Sequence, residues 1–163
     1  MDFNVSDWVK SQQNEYQKAQ NDIPFITLAY AQSLDGSLAS QRGMPTVISG
    51  EESLALTHRL RGIHDGILVG IGTILADDPN LNVRFASGKN PCPIVLDSRL
   101  RTPKNAKIRR DQRAPILFCA PHVSEENRLE YQREGFRIYP VETGSNGMLR
   151  LSEMLKKLQS LGF

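Results

Sequence analysis

The sequence predicts an α/β fold in which a largely parallel sheet is covered by helices. Short apolar runs recur after residue 65 and alternate with segments that carry helix-capping residues. Strands that alternate with helices in this way pair in parallel through right-handed crossovers. The first run is also followed at once by Gly70 and Gly72, which permit a tight turn into a short helix. The apolar runs are Ile67–Val69, Pro93–Leu96, Pro115–Ala120 and Phe136–Val141.

The composition is that of an ordinary globular domain. The chain has 163 residues, enough for a sizeable core, with 39% apolar and 23% charged residues. The formal net charge is +2, so no strong field attracts nucleic acid or a membrane surface. The basic pairs Arg109-Arg110 and Lys156-Lys157 are therefore interpreted as solvated faces.

Features of the sequence also predict the cellular compartment and whether a metal site is present. No run of 18 apolar residues exists, and the polar N-terminus is unlike a secretory signal. Cys92 and Cys119 lack metal-ligand spacing and lie in or beside apparent strands. We therefore expect reduced, partly buried thiols, a cytoplasmic protein and no metal site.

The first third of the chain predicts a helix, a strand and a turn. Residues 1–22 are expected to form an appended helix capped near Ser6 or Asp7, before a domain that spans 23–163. Phe25–Ala31 is rich in β-branched and aromatic residues, which favours a central strand. Asp35 and Gly36 then predict a turn, in which Asp35 has a structural role.

A second helix is predicted from about Glu51 to Leu60. Ser49 and Glu52 have the spacing of a capping box at its start. Its last turn carries His58, Arg59 and Arg61, which the helix dipole favours. The dipole alone is an adequate explanation for His58 and Arg59.

The remaining elements complete the alternation. A short helix over Ile71–Ala76 is stopped by Asp77-Asp78-Pro79, and Phe85–Pro91 predicts a surface loop. Ser124 is expected to cap a helix that ends before Gly135. A last helix is predicted over Leu151–Ser160. The shared face of Leu151, Leu155 and Leu158 is expected to form a core stripe.

Alone, the glycine turn is a weak functional signal. The dinucleotide fingerprint requires a third glycine where Leu75 stands, and a tight turn without a ligand would have the same pattern. Asp97, Ser98 and Arg99 follow the strand that ends at Leu96. They would lie at the ligand-facing edge of an open α/β sheet, although a turn would also explain them.

The longer strings are more specific. VGIGT–LADDPNLNVR, flanked by SLDG, HRLRGIHDG and PIVLDSRLRTPKNAKI, resembles the reductases of riboflavin biosynthesis. The match runs from about Pro24 to the end of the chain, with the motifs in order. The resemblance implies a dihydrofolate-reductase-like three-layer sandwich with a mixed, largely parallel sheet. It also implies NADPH-dependent reduction of a phosphorylated ribosylamino-pyrimidine to the ribitylamino form, in a homodimer.

The resemblance implies two sets of site residues and leaves the catalytic residue unknown. Arginines suit the 5′-phosphate of the substrate and, beside an adenine ribose, the 2′-phosphate of NADP. Cofactor contacts are expected at Ala31, Val47, Gly70, Thr73, Asp77, Asp97, Ser98, Arg99 and Leu100. Substrate contacts are expected at Pro45, Arg61, Leu81 and Arg84.

Some features depart from the family pattern. Ala29 stands where many bacterial members have lysine, and Pro45 and Val47 replace serine and tryptophan, which places the sequence closer to archaeal and fungal-type members. The zinc-deaminase motifs of bacterial members are missing. After the last predicted helix, the strand and glycine-rich turn of the family are also missing, so the domain is expected to be truncated. A non-catalytic relative or fragment that binds a nucleotide or a partner is therefore the alternative. A reductase acting on another pyrimidine- or pterin-like ring is a third hypothesis.

Overall fold

A four-stranded parallel sheet forms the centre of the protein, as the computed structural model describes it for residues 4–19, 21–37, 48–110 and 113–163. The strands pair in chain order, β1-β2-β3-β4, and every pairing is parallel. The predicted parallel sheet is thus confirmed. No antiparallel strand joins it among the described residues. The strands are β1 (Gly66–Gly70), β2 (Cys92–Leu96), β3 (Ile116–Cys119) and β4 (Arg137–Pro140).

Five α-helices accompany the sheet in the described part of the chain. A short 3₁₀ helix, Lys107–Arg110, lies in the connection between β2 and β3. The α-helices are α1 (Val5–Lys18), α2 (Glu51–Ile63), α3 (Ile71–Asp77), α4 (Glu125–Arg133) and α5 (Leu151–Ser160).

Alternate residues of the central strands pack into two separate cores. Successive side chains of a strand point to opposite faces, so a strand covered on both faces is apolar throughout. On one face, Val95 and Leu117 pack with Ile74 of α3 and Tyr131 of α4. On the other face, the core is built from Ile94, Ile116, Phe118, Met154 and Leu158. The molecule therefore has three layers, with helices on both faces of one sheet.

The predicted central strand Phe25–Ala31 is wrong. These residues are outside the sheet, and Leu28 is 82% exposed. The Phe25 ring packs instead against Tyr16 at 5.6 Å and against His64 at 6.4 Å between ring centroids. Thr27 Oγ1 also lies 2.8 Å from Nε2 of His64. Contacts with α1 and with the end of α2 hold this segment in place of strand pairing. The residue composition favoured a strand, but composition alone does not show whether a neighbouring strand is available for pairing.

The N-terminal helix is confirmed but its cap differs. Asn4, not Ser6 or Asp7, caps α1 by accepting a hydrogen bond from the Ser6 amide at 3.0 Å. The helix packs on α2 and buries Val9. The division of the chain into an appendage of residues 1–22 and a domain of 23–163 stays a prediction.

The other helices follow the sequence more closely. Ser124 Oγ accepts from the Asn127 amide as the predicted cap of α4, and Gly135 has the left-handed φ of 90°. The capping box is wrong, because the extended Gly50 is the N-cap residue of α2 and no side chain caps it. The core stripe of α5 is partly wrong, because Met154 occupies the buried position beside Leu158 while Leu151 is 53% exposed.

Candidate functional site

The carboxyl end of β1 opens into the short helix α3. Gly70 ends the strand, serves as the N-cap residue of α3, and has no side chain with which to cap it. A Cβ atom built on Gly70 or Gly72 would meet no protein atom within 4 Å. Thr73 and Asp77 are both exposed on this helix. The turn therefore leaves backbone amides accessible to a ligand at the strand end.

The end of β2 is held by a buried hydrogen-bond network. Asp97 is fully buried, and its Oδ2 accepts from the amide of Thr102 at 2.7 Å and from its hydroxyl at 2.8 Å. Tyr131 donates its hydroxyl proton toward the carbonyl oxygens of Leu100 (2.7 Å) and Thr102 (2.9 Å). Oδ1 of Asp97 lacks a hydrogen-bond partner, and Nε of Arg101 is too distant at 3.6 Å to provide one. This network fixes the loop that follows the strand.

Ser98 and Arg99 lie on the outside of that loop. The carbonyl oxygen of Ser98 accepts from the Ala120 amide at 3.0 Å, which joins the loop to the end of β3. Arg99 is exposed, whereas Leu100 is buried and has a φ of 50°. Of the four residues expected to form this cofactor segment, Ser98 and Arg99 therefore remain accessible to a ligand.

Arg61 and Arg84 come together around a buried histidine. Nδ1 of His58 accepts a hydrogen bond from the Arg84 amide at 3.1 Å, and His58 is 2% exposed. The His58 ring meets Phe85 edge-on at 4.9 Å between centroids, and the Arg84 guanidinium lies 5.4 Å from the same ring. Nη1 of Arg61 donates to the carbonyl oxygen of Asn82 at 3.2 Å.

The electrostatics of this cation cluster, His58 with Arg61 and Arg84, favour a neutral histidine. Burial lowers the pKa of His58, and the nearby charges of Arg61 and Arg84 lower it further. Burial also lowers the pKa of Arg61, with a second contribution from Arg84. No ion pair with an acidic side chain is seen for either arginine within the described ranges. Two guanidinium groups without a counterion favour a bound anion.

The remaining predicted site residues have separate positions. Leu81 is buried in the core with a φ of 53°, and Ala31 is half-buried in the segment outside the sheet. Pro45 and Val47 lie outside the described residues. None of the predicted contacts with cofactor or substrate is tested by the structure, and all stay predictions.

Two clefts lie near the amino-terminal ends of the strands, and neither is lined by Thr73, Asp77 or Arg99. The first, here named the basic cleft, has a volume of about 620 Å³. The second has a volume of about 520 Å³ and includes Cys92 and Arg137. The basic cleft is lined by Asn80, Asn82, Lys89, Asn90, Lys107, Arg110 and Arg113.

Sequence reasoning missed several residues that organise these regions. His58 was explained by the helix dipole, and neither Thr102 nor Tyr131 was singled out. A helical histidine close in sequence to Arg61 was the available signal for the cation cluster. No signal in the sequence indicates the Asp97, Thr102 and Tyr131 network, because its members are separated by up to 34 positions along the chain.

The described part of the chain has neither a cluster of metal ligands nor a membrane-spanning helix. No three histidine, cysteine, aspartate or glutamate side chains among the described residues converge as metal ligands would. None of the described helices has both the length and the apolar composition needed to cross a bilayer. Cys92 and Cys119 are free and fully buried, more deeply than the partial burial that was expected.

Several curated relatives are reductases that share one name. The chain is 38% identical to the 2,5-diamino-6-ribosylamino-4(3H)-pyrimidinone 5′-phosphate reductase of Debaryomyces hansenii, covering 85% of this chain and 62% of that protein. The Saccharomyces cerevisiae protein of the same name is 34% identical (88% and 62%), and that of Archaeoglobus fulgidus is 36% identical (85% and 66%). The chain thus spans just under two thirds of the length of these relatives.

Solved structures agree with these relatives. The riboflavin biosynthesis reductase Rib7 of Saccharomyces cerevisiae superposes with a TM-score of 0.70 at 28% identity, over 96% of this chain and 67% of that one. Acinetobacter baumannii RibD superposes with a TM-score of 0.75 at 26% identity, over 95% and 42%. These neighbours establish the dihydrofolate-reductase-like fold that the family resemblance implied. The model of the RibD C-terminal domain matches residues 24–163, and the chain belongs to this family.

Proposed function

We propose that this chain is an NADPH-dependent reductase that converts a phosphorylated ribosylamino-pyrimidine to its ribitylamino form in riboflavin biosynthesis. Membership of the RibD C-terminal domain family and the names of the relatives support the reaction class. The cytosol is the proposed compartment, because both buried thiols are free.

The observation that carries the proposal is the proximity of Arg61 and Arg84. Their like charges repel each other, and burial together with these charges holds the pKa of the neighbouring His58 below its ordinary value. A phosphate dianion placed there would offset this repulsion and accept several charge-assisted hydrogen bonds. The cation cluster therefore suits the 5′-phosphate of the substrate and would hold the sugar in a fixed orientation.

The carboxyl ends of β1 and β2 suit the cofactor. Space is open above Gly70 and Gly72, so a phosphate group can approach the amides that begin α3. The exposed Arg99 guanidinium offers a planar fork of donors for a 2′-phosphate, which would favour NADPH over NADH. When bound, NADPH supplies the hydride.

The protein's contribution is mainly to hold both ligands and to restrict their motion. Arg61 and Arg84 bind the phosphate end of the substrate, and His58 positions Arg84 through its backbone amide. Ser98 and Arg99 are held by the loop that Asp97, Thr102 and Tyr131 fix. No side chain is assigned as a general acid or base.

The direct test is turnover of the pathway substrate by the purified chain, followed by loss of NADPH absorbance. Arg84→Gln is expected to raise KM by about 10- to 100-fold, the cost of one or two charged hydrogen bonds. Arg59→Gln is the matched control, because Arg59 is exposed on the same helix as Arg61. Equal KM values for the two variants, or no binding of NADPH by the unaltered chain, would contradict the proposal.

A nucleotide-binding or interaction module without turnover is the second candidate. The specific observation in its favour is that neither described cleft joins Thr73, Asp77 and Arg99. It predicts NADPH binding by calorimetry without oxidation, for any substrate offered. A panel of phosphorylated pyrimidines and pterins in the same assay separates it from a reductase that acts on a different ring.

A further inference from the structure

The basic cleft contains an unusual set of side chains. Four of its seven described lining residues are cationic and three are asparagines, while carboxylates are absent from this described lining. The cations come from three places in the chain: Lys89 from the loop before β2, Lys107 and Arg110 from the 3₁₀ helix, and Arg113 from the approach to β3. Folding therefore gathers these charges from separate segments.

Little in the described structure neutralises these charges. Nζ of Lys107 lies 3.6 Å from Oδ2 of Asp78, and Arg113 donates to the neutral carbonyl oxygen of Asp65 at 3.0 Å. Lys89 and Arg110 make no ion pair within the described ranges. Cations that converge on one concave surface repel each other, and a ligand with several negative charges would relieve that repulsion.

The asparagines add groups that can both donate and accept. Oδ1 of Asn90 accepts from the Val83 amide at 2.9 Å, which fixes that side chain and leaves its NH₂ group as a donor. Oδ1 of Asn82 is buried and has no hydrogen-bond partner. Such amides suit the hydroxyl groups or base edges of a nucleotide better than a bare inorganic ion.

We propose that the basic cleft binds a small ligand with two or more phosphate groups and the size of a nucleotide. A volume of about 620 Å³ is within the range of small-molecule sites and exceeds the needs of one phosphate. The described part of the lining contains no aromatic side chain on which the bases of a nucleic acid would stack. Neither Arg61 nor Arg84 lines the cleft, and the two sites adjoin at Asn82, whose carbonyl oxygen accepts from Arg61, without sharing a cation.

The test is titration of the full chain with inorganic pyrophosphate and with ADP, followed by amide NMR shifts and calorimetry. Shifts are expected at Asn82, Lys89 and Arg110, with an affinity that falls steeply as salt is raised. The double variant Lys89→Gln, Arg110→Gln is expected to weaken ADP binding by at least about tenfold. Lys10→Gln, an exposed cation on α1, is the matched control and should leave the affinity unchanged.

A second comparison separates this site from the proposed active site. Arg84→Gln should leave ADP binding at the basic cleft intact although it raises the KM for the substrate. Shifts confined to the amides of residues 58–61 and 84, or to those of residues 70–77 and 97–100 at the proposed cofactor end, would overturn the proposal, as would equal ADP affinity for the double variant and the Lys10 control. Tighter binding of a single-stranded oligonucleotide than of ADP would also overturn it.

Discussion

Nδ1 of His58 accepts a hydrogen bond from the Arg84 amide, and this contact requires the neutral imidazole. A protonated ring would lose the acceptor and add a third positive charge beside Arg61 and Arg84. Burial and these two charges together hold the pKa of His58 below its ordinary value of 6.5. The protonation state of one side chain is thus linked to the geometry of the cation cluster.

The first prediction concerns the pH dependence of stability. The unfolded chain binds a proton at His58 near pH 6.5, whereas the folded chain binds it only at lower pH. The contribution of His58 to the free energy of unfolding should therefore be constant above about pH 7 and should fall as pH decreases through 6.5. Urea denaturation between about pH 5 and 7.5 measures this dependence.

Two variants at the same position serve as controls. His58→Asn retains an acceptor for the Arg84 amide but cannot be protonated, so it should show a smaller decrease in stability at low pH. His58→Leu leaves the amide unpaired and should cost about 1–3 kcal/mol above about pH 7, a cost that becomes smaller at lower pH because the unaltered chain loses stability there. Identical slopes for His58→Asn and the unaltered chain would show that His58 does not cause the dependence.

At the level of residues, the sequence identified the charged side chains of the candidate site better than it identified hydrogen-bond partners. Arg61 and Arg84 were identified from motifs, and the structure brings them together around His58. The role of Tyr131 was not predicted, because its hydroxyl reaches two carbonyl oxygens about 30 positions earlier in the chain. A contact of that kind depends on how α4 packs on the sheet, which no local pattern specifies.

At the level of elements, a substitution in the helix α3 can separate an effect on stability from an effect on cofactor binding. Gly72 lies in its first turn, where an added Cβ would meet no protein atom. Gly72→Ala should therefore raise the free energy of unfolding by about 0.5–1 kcal/mol through helix propensity. The same methyl group would obstruct a cofactor phosphate that approaches the turn.

The second prediction is that Gly72→Ala is at least as stable as the unaltered chain yet binds NADPH more weakly. Thermal unfolding and fluorescence titration with NADPH measure the two quantities on the same sample. Gly135→Ala is the contrasting variant, because φ at Gly135 is 90° and strain should lower stability without affecting NADPH. Unchanged NADPH affinity in Gly72→Ala would place the cofactor elsewhere.

The elements that are specified by short stretches of sequence were predicted well. The strands after residue 65 and the capped helix α4 follow directly from short apolar runs and from Ser124. The prediction for Phe25–Ala31 was wrong. The residue composition of a strand indicates how well its side chains fit a half-buried sheet, but it does not show whether a neighbouring strand is present to pair with it. In this structure the ring of His64 and the helix α1 take the place of that partner.

At the level of the whole molecule, the two ends of the sheet differ chemically. The carboxyl ends present the open glycine turn and Arg99, whereas the basic cleft lies towards the amino-terminal ends. The sheet also has two outer strands among the described residues, β1 and β4. Outer strands expose unpaired backbone groups and favour association.

The third prediction is that the chain forms a homodimer, with a sedimentation mass twice that of one chain. Leu68 on β1 and Leu28 are exposed apolar side chains. A charge at such a position should weaken an interface, so Leu28→Asp and Leu68→Arg are expected to shift the equilibrium toward the monomer. Met148→Asp, at an exposed apolar position in another loop, is the control. A monomeric mass at every concentration tested would refute the prediction.

The proximity of Arg61 and Arg84 has a practical consequence for handling the protein. A solute anion that binds only the folded form raises the melting temperature in proportion to the logarithm of its concentration. Phosphate and sulfate buffers should therefore stabilise the protein more than chloride at equal ionic strength. Melting temperatures of variants are comparable only when they are recorded in the same buffer salt.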